Sequence, residues 1–200
     1  MIVAGYAHRY EPDWLIDQLH ENLAWVDGWA VHDDRNHPEV WSPSKQRNTA
    51  VRDKADRMGA KWLLFTAPDE RWDRNTEYMV RKAVEYNPKA RFSFPLHELW
   101  TPTEYRVDGL WGMKRRVRLT RLDGVGLNRP AYQVNAPIYH LKMIEEANRS
   151  ERVRVHQAHN TWDNKSRGFA YLNDERGLTL APIPGSYHPP YKPYVFKVDK

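Results

Sequence analysis

The chain of 200 residues contains no cysteine, and this absence excludes several kinds of site. A disulfide scaffold, a thiolate nucleophile and a cysteine-bound zinc centre are all impossible. No apolar run approaches the roughly 18 residues that a membrane-spanning helix needs. No charged leader precedes an apolar block at the N-terminus either. We therefore expect a soluble, cytoplasmic protein.

Two glycine-rich phosphate-binding motifs are also missing. The first predicted turn between a strand and a helix reads GYAHRYEPDW, which is not GxGxxG, and no GxxxxGK[ST] segment occurs. The sequence therefore lacks a dinucleotide-binding fingerprint, and it lacks a phosphate-binding loop of the P-loop kind.

The composition is that of a folded, slightly basic protein. Charged residues make up 28% and hydrophobic residues 40% of the chain, so we expect one ordered domain with a sizeable core. The net charge of +5 favours an acidic partner, and a small phosphate-bearing ligand would suffice because no basic run exceeds three residues. Nine Trp and eleven Tyr are many for this length. Most can be explained by core packing, although both residue types also stack on sugars and bases.

The first hundred residues alternate between predicted strands and helices. The predicted strands are residues 1–6, 28–34, 61–66 and 90–96. The predicted helices are residues 11–23, 42–60, with Ser42 as cap, and 75–86; Ala50, Val51, Ala55 and Met58 form the buried stripe of the second. This alternation predicts an α/β fold with a mostly parallel sheet and helices on both of its faces.

The second half has a less regular pattern. Two short strands are predicted around Gly112, a helical stretch in 139–160, and a proline-rich tail in 181–198 that extends over the surface. His156 and His159 form an HxxH pair, which indicates a polar helix face rather than zinc because no HExxH pattern accompanies it. No repeat or linker divides the chain, so we expect a single domain, residues 1–200.

Charged side chains follow three successive predicted strands. They are His8, Arg9 and Glu11 after the first strand, Asp33 and Asp34 after the second, and Asp69, Glu70 and Arg71 after the third. The carboxyl ends of parallel strands meet at one edge of a sheet, where α/β proteins bind their ligands. Loops are generally polar, but acids at three strand ends in a row favour a binding site. Such a site suits phosphates that arrive with Mg²⁺ or Mn²⁺.

The order and spacing of these segments resemble the family 2 glycosyltransferases, which have the GT-A (Rossmann-like) fold. The matching segments are Arg9-Tyr10-Glu11, VDGWAVHDDR (26–35), Arg47-Asn48, GAKWLLFTAPDERW (59–72), YRVDGLWGMKRRVRLTRL (105–122) and IYHLK (138–142). The resemblance covers about residues 1–145 and depends on the order of the segments rather than on one motif. It implies a nucleotide-sugar-binding half, residues 1–100, and an acceptor-side half, residues 101–200, that includes the extended tail.

Two positions depart from the family pattern. Ala67 stands where the first acid of the DxD motif is usual, and Tyr10 stands where an Asn is usual. Asp69 keeps the acid that usually binds the metal in this family. The resemblance therefore implies Mn²⁺ or Mg²⁺ held by Asp69, His140 and the donor diphosphate, with reduced affinity. A metal-independent or inactive variant is the alternative.

The resemblance also implies roles for other residues. Those expected to bind the donor are Glu11, Asp33, Asp34, Arg47 and Asp69. In this arrangement Asp33 and Asp34 accept hydrogen bonds from the base or ribose, and Arg47 lies beside them. Inverting transfer needs a carboxylate that deprotonates the acceptor hydroxyl. Asp108, among aromatic residues, is the first choice for this base and Glu98 the second.

The predicted function is transfer of a sugar from a nucleotide-diphosphate sugar to a hydroxyl of a glycan, protein or nucleic acid, with inversion. Trp100, Trp111 and Trp162 either line an acceptor groove or pack in the core. The segment KRRVRLTRL (114–122) indicates either a half-exposed strand or a basic strip that faces an anion. Two alternative functions follow: a nucleic-acid-binding module that uses this strip, and a non-catalytic nucleotide-sugar binder, suggested by Ala67.

Overall fold

A computed structural model describes residues 1–37, 44–124, 128, 130–159, 170–185 and 187–195. Its helices are α1 (Asp13–Asn22), α2 (Ser44–Arg57), α3 (Thr76–Tyr86) and α4 (Glu146–His159), and its 3₁₀ segments are Leu141–Met143 and Ala170–Leu172. Its strands are β1 (Ile2–His8), β2 (Gly28–Asp33), β3 (Trp62–Phe65), β4 (Glu70–Trp72), β5 (Phe92–Thr101), β6 (Glu104–Arg106), β7 (Arg115–Arg121), β8 (Tyr132–Gln133), β9 (Ile138–His140) and β10 (Leu180–Pro182).

The main sheet is mixed, with the order β10-β6-β5-β7-β3-β1-β2. β2, β1 and β3 are parallel neighbours, whereas β7 is antiparallel to both β3 and β5. The predicted α/β architecture is confirmed, but the sheet is less parallel than expected. The alternation in the first hundred residues cannot reveal a strand from later in the chain that enters between β3 and β5. Because β7 lies between β3 and β5, both halves of the chain contribute strands to this sheet.

Helices cover both faces of the sheet, as predicted. On one face, Ala4 of β1 belongs to a core with Leu19 of α1 and Val80 of α3. On the other face, Val3 packs in a separate core with Val51 of α2. Successive side chains of a strand point to opposite sides, so adjacent residues of β1 enter different cores.

Helix α2 lies very close to β1. A Cβ atom added at Gly5 would stand 2.5 Å from Cγ1 of Val51, so this position requires a residue without a side chain. Met58, predicted in the buried stripe, is instead 40% exposed. It follows the last residue of α2, where helical spacing no longer applies. Ser42 and Pro43, predicted to begin this helix, lie outside the described residues.

A side sheet that the sequence did not predict extends from the main one. β4 pairs with β9 in antiparallel fashion, and β9 pairs with β5 in parallel fashion. The pairing aligns Glu70 with His140 and His140 with Glu98. β5 also continues to Thr101, beyond the predicted end at residue 96, and so carries Glu98 into this sheet. The side sheet therefore sets the spacing of three titratable residues.

The proline-rich tail forms no helix in residues 181–185 and 187–195, as predicted. It does more than cross the surface, because Ile183 is buried and Tyr187, Tyr191 and Tyr194 pack around the core that contains Leu15. β10 also pairs with β6. Across the ranges that the structure describes, none of the helices combines the length and the apolarity needed to cross a bilayer.

Candidate functional site

A first charged group, which we call the Arg9 cluster, combines side chains that follow β1 and β2 with one from α2: Arg9, Glu11, Asp34 and Arg47. Nη1 of Arg9 lies 3.7 Å from Oδ2 of Asp34, and each side chain is only 3% exposed. The backbone N–H of Arg9 donates to Oε2 of Glu11 at 2.9 Å. Burial lowers the pKa of Arg47, while Asp34 and Glu11 act in the opposite direction. Arg47 of α2 therefore lies within electrostatic range of both acids.

Asp33 does not take part in the Arg9 cluster. Its side chain is 44% exposed, and its Oδ1 accepts a 2.9 Å hydrogen bond from Nε of Arg35. Asp34 is buried instead, because adjacent residues at a strand end point to opposite sides. Of the two predicted nucleotide-binding acids, Asp34 is brought to Arg9 and Asp33 is not.

A second group of charged side chains, which we call the buried charge cluster, is centred on His140. Its members are Asp69, Glu70, Glu98, Lys114, Arg118, His140 and Lys142. Nε2 of His140 lies 3.2 Å from Oδ2 of Asp69, and its Nδ1 pairs with Oε2 of Glu98. Nζ of Lys142 lies 3.6 Å from Oδ2 of Asp69 and 3.8 Å from Oε1 of Glu11. Lys142 thereby connects the buried charge cluster to the Arg9 cluster.

The other two acids of the buried charge cluster, Glu98 and Glu70, each pair with a cation in or next to β7. Lys114 pairs with Oε1 of Glu98, and Arg118 pairs with Oε1 of Glu70. The remaining oxygen of Glu70 accepts the backbone N–H of Ala67 at 3.1 Å, which holds the turn before β4. The turn that carries Asp69 is thus fixed by the acid that follows it.

Mutual attraction keeps the centre of the buried charge cluster ionised. Burial alone would lower the pKa of His140, but Glu98 and Asp69 outweigh it and raise the pKa to about 9. Burial would likewise raise the pKa of Asp69 and of Glu98. The pKa of Asp69 is nevertheless held well below its usual range by His140 and Lys142. The pKa of Glu98 is held well below its usual range by His140 and Lys114. At neutral pH an imidazolium therefore lies between two carboxylates.

We expect the free energy of unfolding to fall as the pH rises from about 6.5 to 9. A raised folded-state pKa means that the stability due to charged His140 is fully present below its ordinary pKa of 6.5 and is lost as the pH rises through about 9. The loss should be at most about 3 kcal/mol. Denaturant unfolding of the wild type and of His140→Gln at both pH values measures it, and the variant should lack this decline.

His97 provides the matched control, since it is also a half-buried histidine but its pKa is shifted the other way. Burial lowers the pKa of His97 to about 4, so its contribution is complete above pH 6.5 and is lost only as the pH falls through 4. His97→Gln should therefore keep the alkaline decline of the wild type. An equal alkaline decline in His140→Gln would show that His140 is not its source.

The predicted metal ligands, Asp69 and His140, are in contact, but the groups around them do not fit a divalent ion. Both ring nitrogens of His140 pair with carboxylates, and Oδ2 of Asp69 already faces the ammonium group of Lys142. Ala67 offers no second acid. Among the described residues, no three His, Asp or Glu are grouped so that they could hold a metal ion. The metal stays a prediction that these contacts do not favour.

Asp108, the first choice for the base, lies in the turn after β6 and is held by two partners. It accepts hydrogen bonds from Nε and Nη2 of Arg106 at 2.8 and 2.9 Å, and one from the backbone N–H of Thr179 at 3.2 Å. The bonds from Arg106 hold the pKa of Asp108 below its usual range. The guanidinium of Arg106 also lies over the rings of Trp100 and Trp111, at 4.8 and 5.1 Å from their centroids.

Trp111 lies between Asp108 and the buried charge cluster. Nζ of Lys114, which pairs with Glu98, is 4.9 Å from the centroid of the Trp111 ring. Arg106, the partner of Asp108, contacts the same ring. Each of the two candidate bases therefore pairs with a cation that touches Trp111. The indole of Trp111 is half-buried, and Trp side chains are among those that stack on sugars.

The basic strip 114–122 is largely engaged within the protein. Arg115 donates to the carbonyl oxygens of Ser93 and Val134, each at 2.9 Å. Arg118 pairs with Glu70, as described above, and Arg121 pairs with Asp123. The sequence of this segment indicates either a half-exposed strand or a basic strip that faces an anion. Most of its side chains fit the first interpretation, because they belong to the partly exposed strand β7.

Sequence reasoning missed two residues of the site. Lys142 belongs to the IYHLK segment, two residues after His140, so a cation beside the predicted ligand was visible in the sequence. Tyr194 gave no local signal, yet its hydroxyl is buried and without a hydrogen-bond partner in the described structure. Burial, followed by the charges of Asp69 and Glu11, raises the pKa of Tyr194. Three features considered from the sequence lie outside the described residues: Trp162 and the side chains of His156 and His159.

Comparison with known proteins gives no family for this chain. Neither the models of known protein families nor the curated proteins match its sequence. The resemblance to family 2 glycosyltransferases therefore depends on the order and spacing of segments within residues 9–142 alone.

Proposed function

We propose that the protein is an inverting glycosyltransferase of the GT-A type, which transfers a sugar from a nucleotide-diphosphate sugar to an acceptor hydroxyl. The observation that carries the proposal is a continuous series of contacts at the carboxyl edge of the parallel strands. It runs from Asp34 through Arg9 to Glu11, and from Glu11 through Lys142 to Asp69. Open α/β sheets bind their ligands at this edge.

The Arg9 cluster supplies donors and acceptors that suit a nucleotide. Asp34 accepts hydrogen bonds from the base or the ribose, with Arg47 beside it. Nε and Nη1 of Arg9 are buried and have no hydrogen-bond partner among the described residues. Nη1 of Arg9 is close enough to Asp34 for an ion pair, at 3.7 Å, but this distance is too long for a hydrogen bond. Buried N–H groups normally have an acceptor, so those of Nε and Nη1 fit an oxygen-rich ligand.

Asp108 supplies the base on the acceptor side. It takes the proton of the acceptor hydroxyl while that oxygen attacks the anomeric carbon. The bond from this carbon to the diphosphate oxygen breaks in the same step, and its electron pair leaves with the nucleoside diphosphate. Trp111 offers a stacking surface for the acceptor, and Leu110 and Met113 beside it are 66% and 73% exposed. These exposed apolar side chains support an acceptor that lies over this turn.

Binding of UDP-, GDP- and TDP-sugars, with and without Mn²⁺, tests the proposal by thermal shift. One nucleotide should raise the melting temperature by about 5–10 °C when it is present at about 100 times its Kd. Asp34→Asn should reduce this shift by more than half, because the amide nitrogen cannot accept a hydrogen bond. Asp33→Asn is the matched control and should leave the shift unchanged, since Asp33 lies outside the Arg9 cluster.

The two alternative functions give different results in the same experiment. A non-catalytic nucleotide-sugar binder would show the shift but release no nucleoside diphosphate when acceptors are added. A nucleic-acid-binding module would show no shift with any nucleotide sugar and would bind DNA or RNA with steep salt dependence. The absence of a shift with every nucleotide sugar would contradict the glycosyltransferase proposal.

A further inference from the structure

We infer that Lys142, together with Arg9, neutralises the donor diphosphate in place of a divalent metal ion. This inference rests on the proposed function, because it assigns the cation of the same site. Lys142 lies in the 3₁₀ segment that follows β9, and this segment directs its ammonium group between the acids from two strand ends.

The position of the ammonium group is the first argument. Nζ of Lys142 lies 3.8 Å from Oε1 of Glu11 and 3.6 Å from Oδ2 of Asp69, and its side chain is only 10% exposed. This is the space between strand ends where a divalent cation would have to bridge carboxylates and phosphates. A fixed positive charge already occupies it. A divalent ion at Asp69 would be repelled by Lys142 and by His140, which also faces Oδ2.

Buried donors that lack a hydrogen-bond acceptor support the inference independently. Nε and Nη1 of Arg9 have no hydrogen-bond partner in the described structure, although the side chain is only 3% exposed. The hydroxyl of Tyr194, from the C-terminal tail, is likewise buried and unpartnered, within electrostatic range of Asp69 and Glu11. Buried donors without acceptors are rare in proteins. Phosphate oxygens would satisfy all of them.

The chemistry of the turn before β4 agrees with this assignment. Ala67 leaves the turn with one carboxylate fewer than the DxD motif, and Lys142 places a positive charge beside Asp69. Each feature weakens a metal site, and each favours direct binding of a phosphate. When the bond from the anomeric carbon to the diphosphate breaks, the negative charge grows on the departing oxygen. Ammonium and guanidinium groups can stabilise that charge by hydrogen bonds without any metal.

Isothermal titration with UDP, GDP and TDP, in EDTA and in Mn²⁺, tests the inference. We expect the nucleotide that binds to have the same Kd within about twofold in both buffers. In EDTA, Lys142→Met should weaken binding at least tenfold, whereas Lys142→Arg, which keeps the charge, should bind within about threefold of the wild type. Lys82→Met is the control, because Lys82 is an exposed lysine of α3 that pairs with Glu85 on the surface.

A double variant tests the exchange of cation for acid directly. Ala67→Asp combined with Lys142→Met restores the second acid and removes the ammonium group, so nucleotide binding should become dependent on Mn²⁺. Wild-type binding that needs Mn²⁺ would overturn the assignment of Lys142 while leaving the proposed function intact. The wild-type comparison does not depend on whether any variant folds. Absence of nucleotide binding in both buffers would overturn the proposed function and this assignment with it.

Discussion

Replacing Asp108 with Asn is expected to lower the turnover of nucleotide sugar by about 10²–10⁴-fold, because an amide cannot accept the proton of the acceptor hydroxyl. Binding of the nucleotide should be unchanged, since Asp108 contacts Arg106 and Thr179 rather than the Arg9 cluster. The measurement is the rate of nucleoside diphosphate release with acceptor present, together with the Kd of the nucleotide for each protein. A fall in kcat without a change in Kd is the signature of a base.

Asp174 provides a closely matched control for this substitution. It forms the same kind of pair with an arginine two residues later, with Nε of Arg176 at 2.9 Å from Oδ1 and Nη2 at 2.7 Å from Oδ2. Asp174→Asn should leave turnover unchanged, because its own contact with Arg106 uses the backbone carbonyl oxygen. Turnover that persists in Asp108→Asn but is lost in Glu98→Gln would assign the base to Glu98.

Replacing Arg71 with Met is expected to lower the free energy of unfolding by about 3–5 kcal/mol, because it leaves several buried acceptors without a donor. Arg71 is 0% exposed. Its guanidinium donates to the carbonyl oxygens of Pro68, Glu70 and Leu15 at 2.8, 2.8 and 2.9 Å. It also donates to the side-chain oxygen of Gln18 at 3.2 Å. These bonds join the turn that carries Asp69 to helix α1.

The expected result is a melting temperature roughly 10 °C below that of the wild type, with loss of the nucleotide-induced shift. Arg71→Lys should not restore stability, because one ammonium group cannot reach the acceptors that the guanidinium spans. Arg74→Met is the control: Arg74 is exposed, its guanidinium lies over the ring of Tyr187, and its loss should change the melting temperature by less than about 2 °C. An Arg71→Met protein as stable as the wild type would disprove the role of Arg71.

The elements that the sequence predicted well are those defined by local periodicity. The apolar runs of β1 and β3 and the helical spacing of α1 and α3 depend on residues within one segment. Their bounds in the structure differ from the predicted ones by a few residues. The insertion of β7 between β3 and β5, and the pairing of β9 with β4, depend on contacts between distant segments. No periodicity within a segment reports such a contact.

The candidate site shows the same division at the level of single residues. Acids at three strand ends predicted a common edge, and Glu11, Asp34 and Asp69 do lie in one series of contacts. The neighbouring letters Asp33 and Asp34 are equivalent in the sequence, yet one is exposed and the other buried. Lys142 was visible beside His140, but its contacts with Asp69 could not be read from the sequence.

The sequence by itself determined the residue types and the edge of the sheet at which they collect, because parallel strands deliver the residues that follow them to the same side. Only the tertiary structure decided which of those residues are in contact and which charged groups pair with each other. The side sheet of β4, β9 and β5 aligns His140 with Glu98 and Glu70, and the 3₁₀ segment after β9 brings an ammonium group to Asp69. Ion pairs depend on distances of a few ångströms between residues far apart in the chain, and these distances exist only after folding.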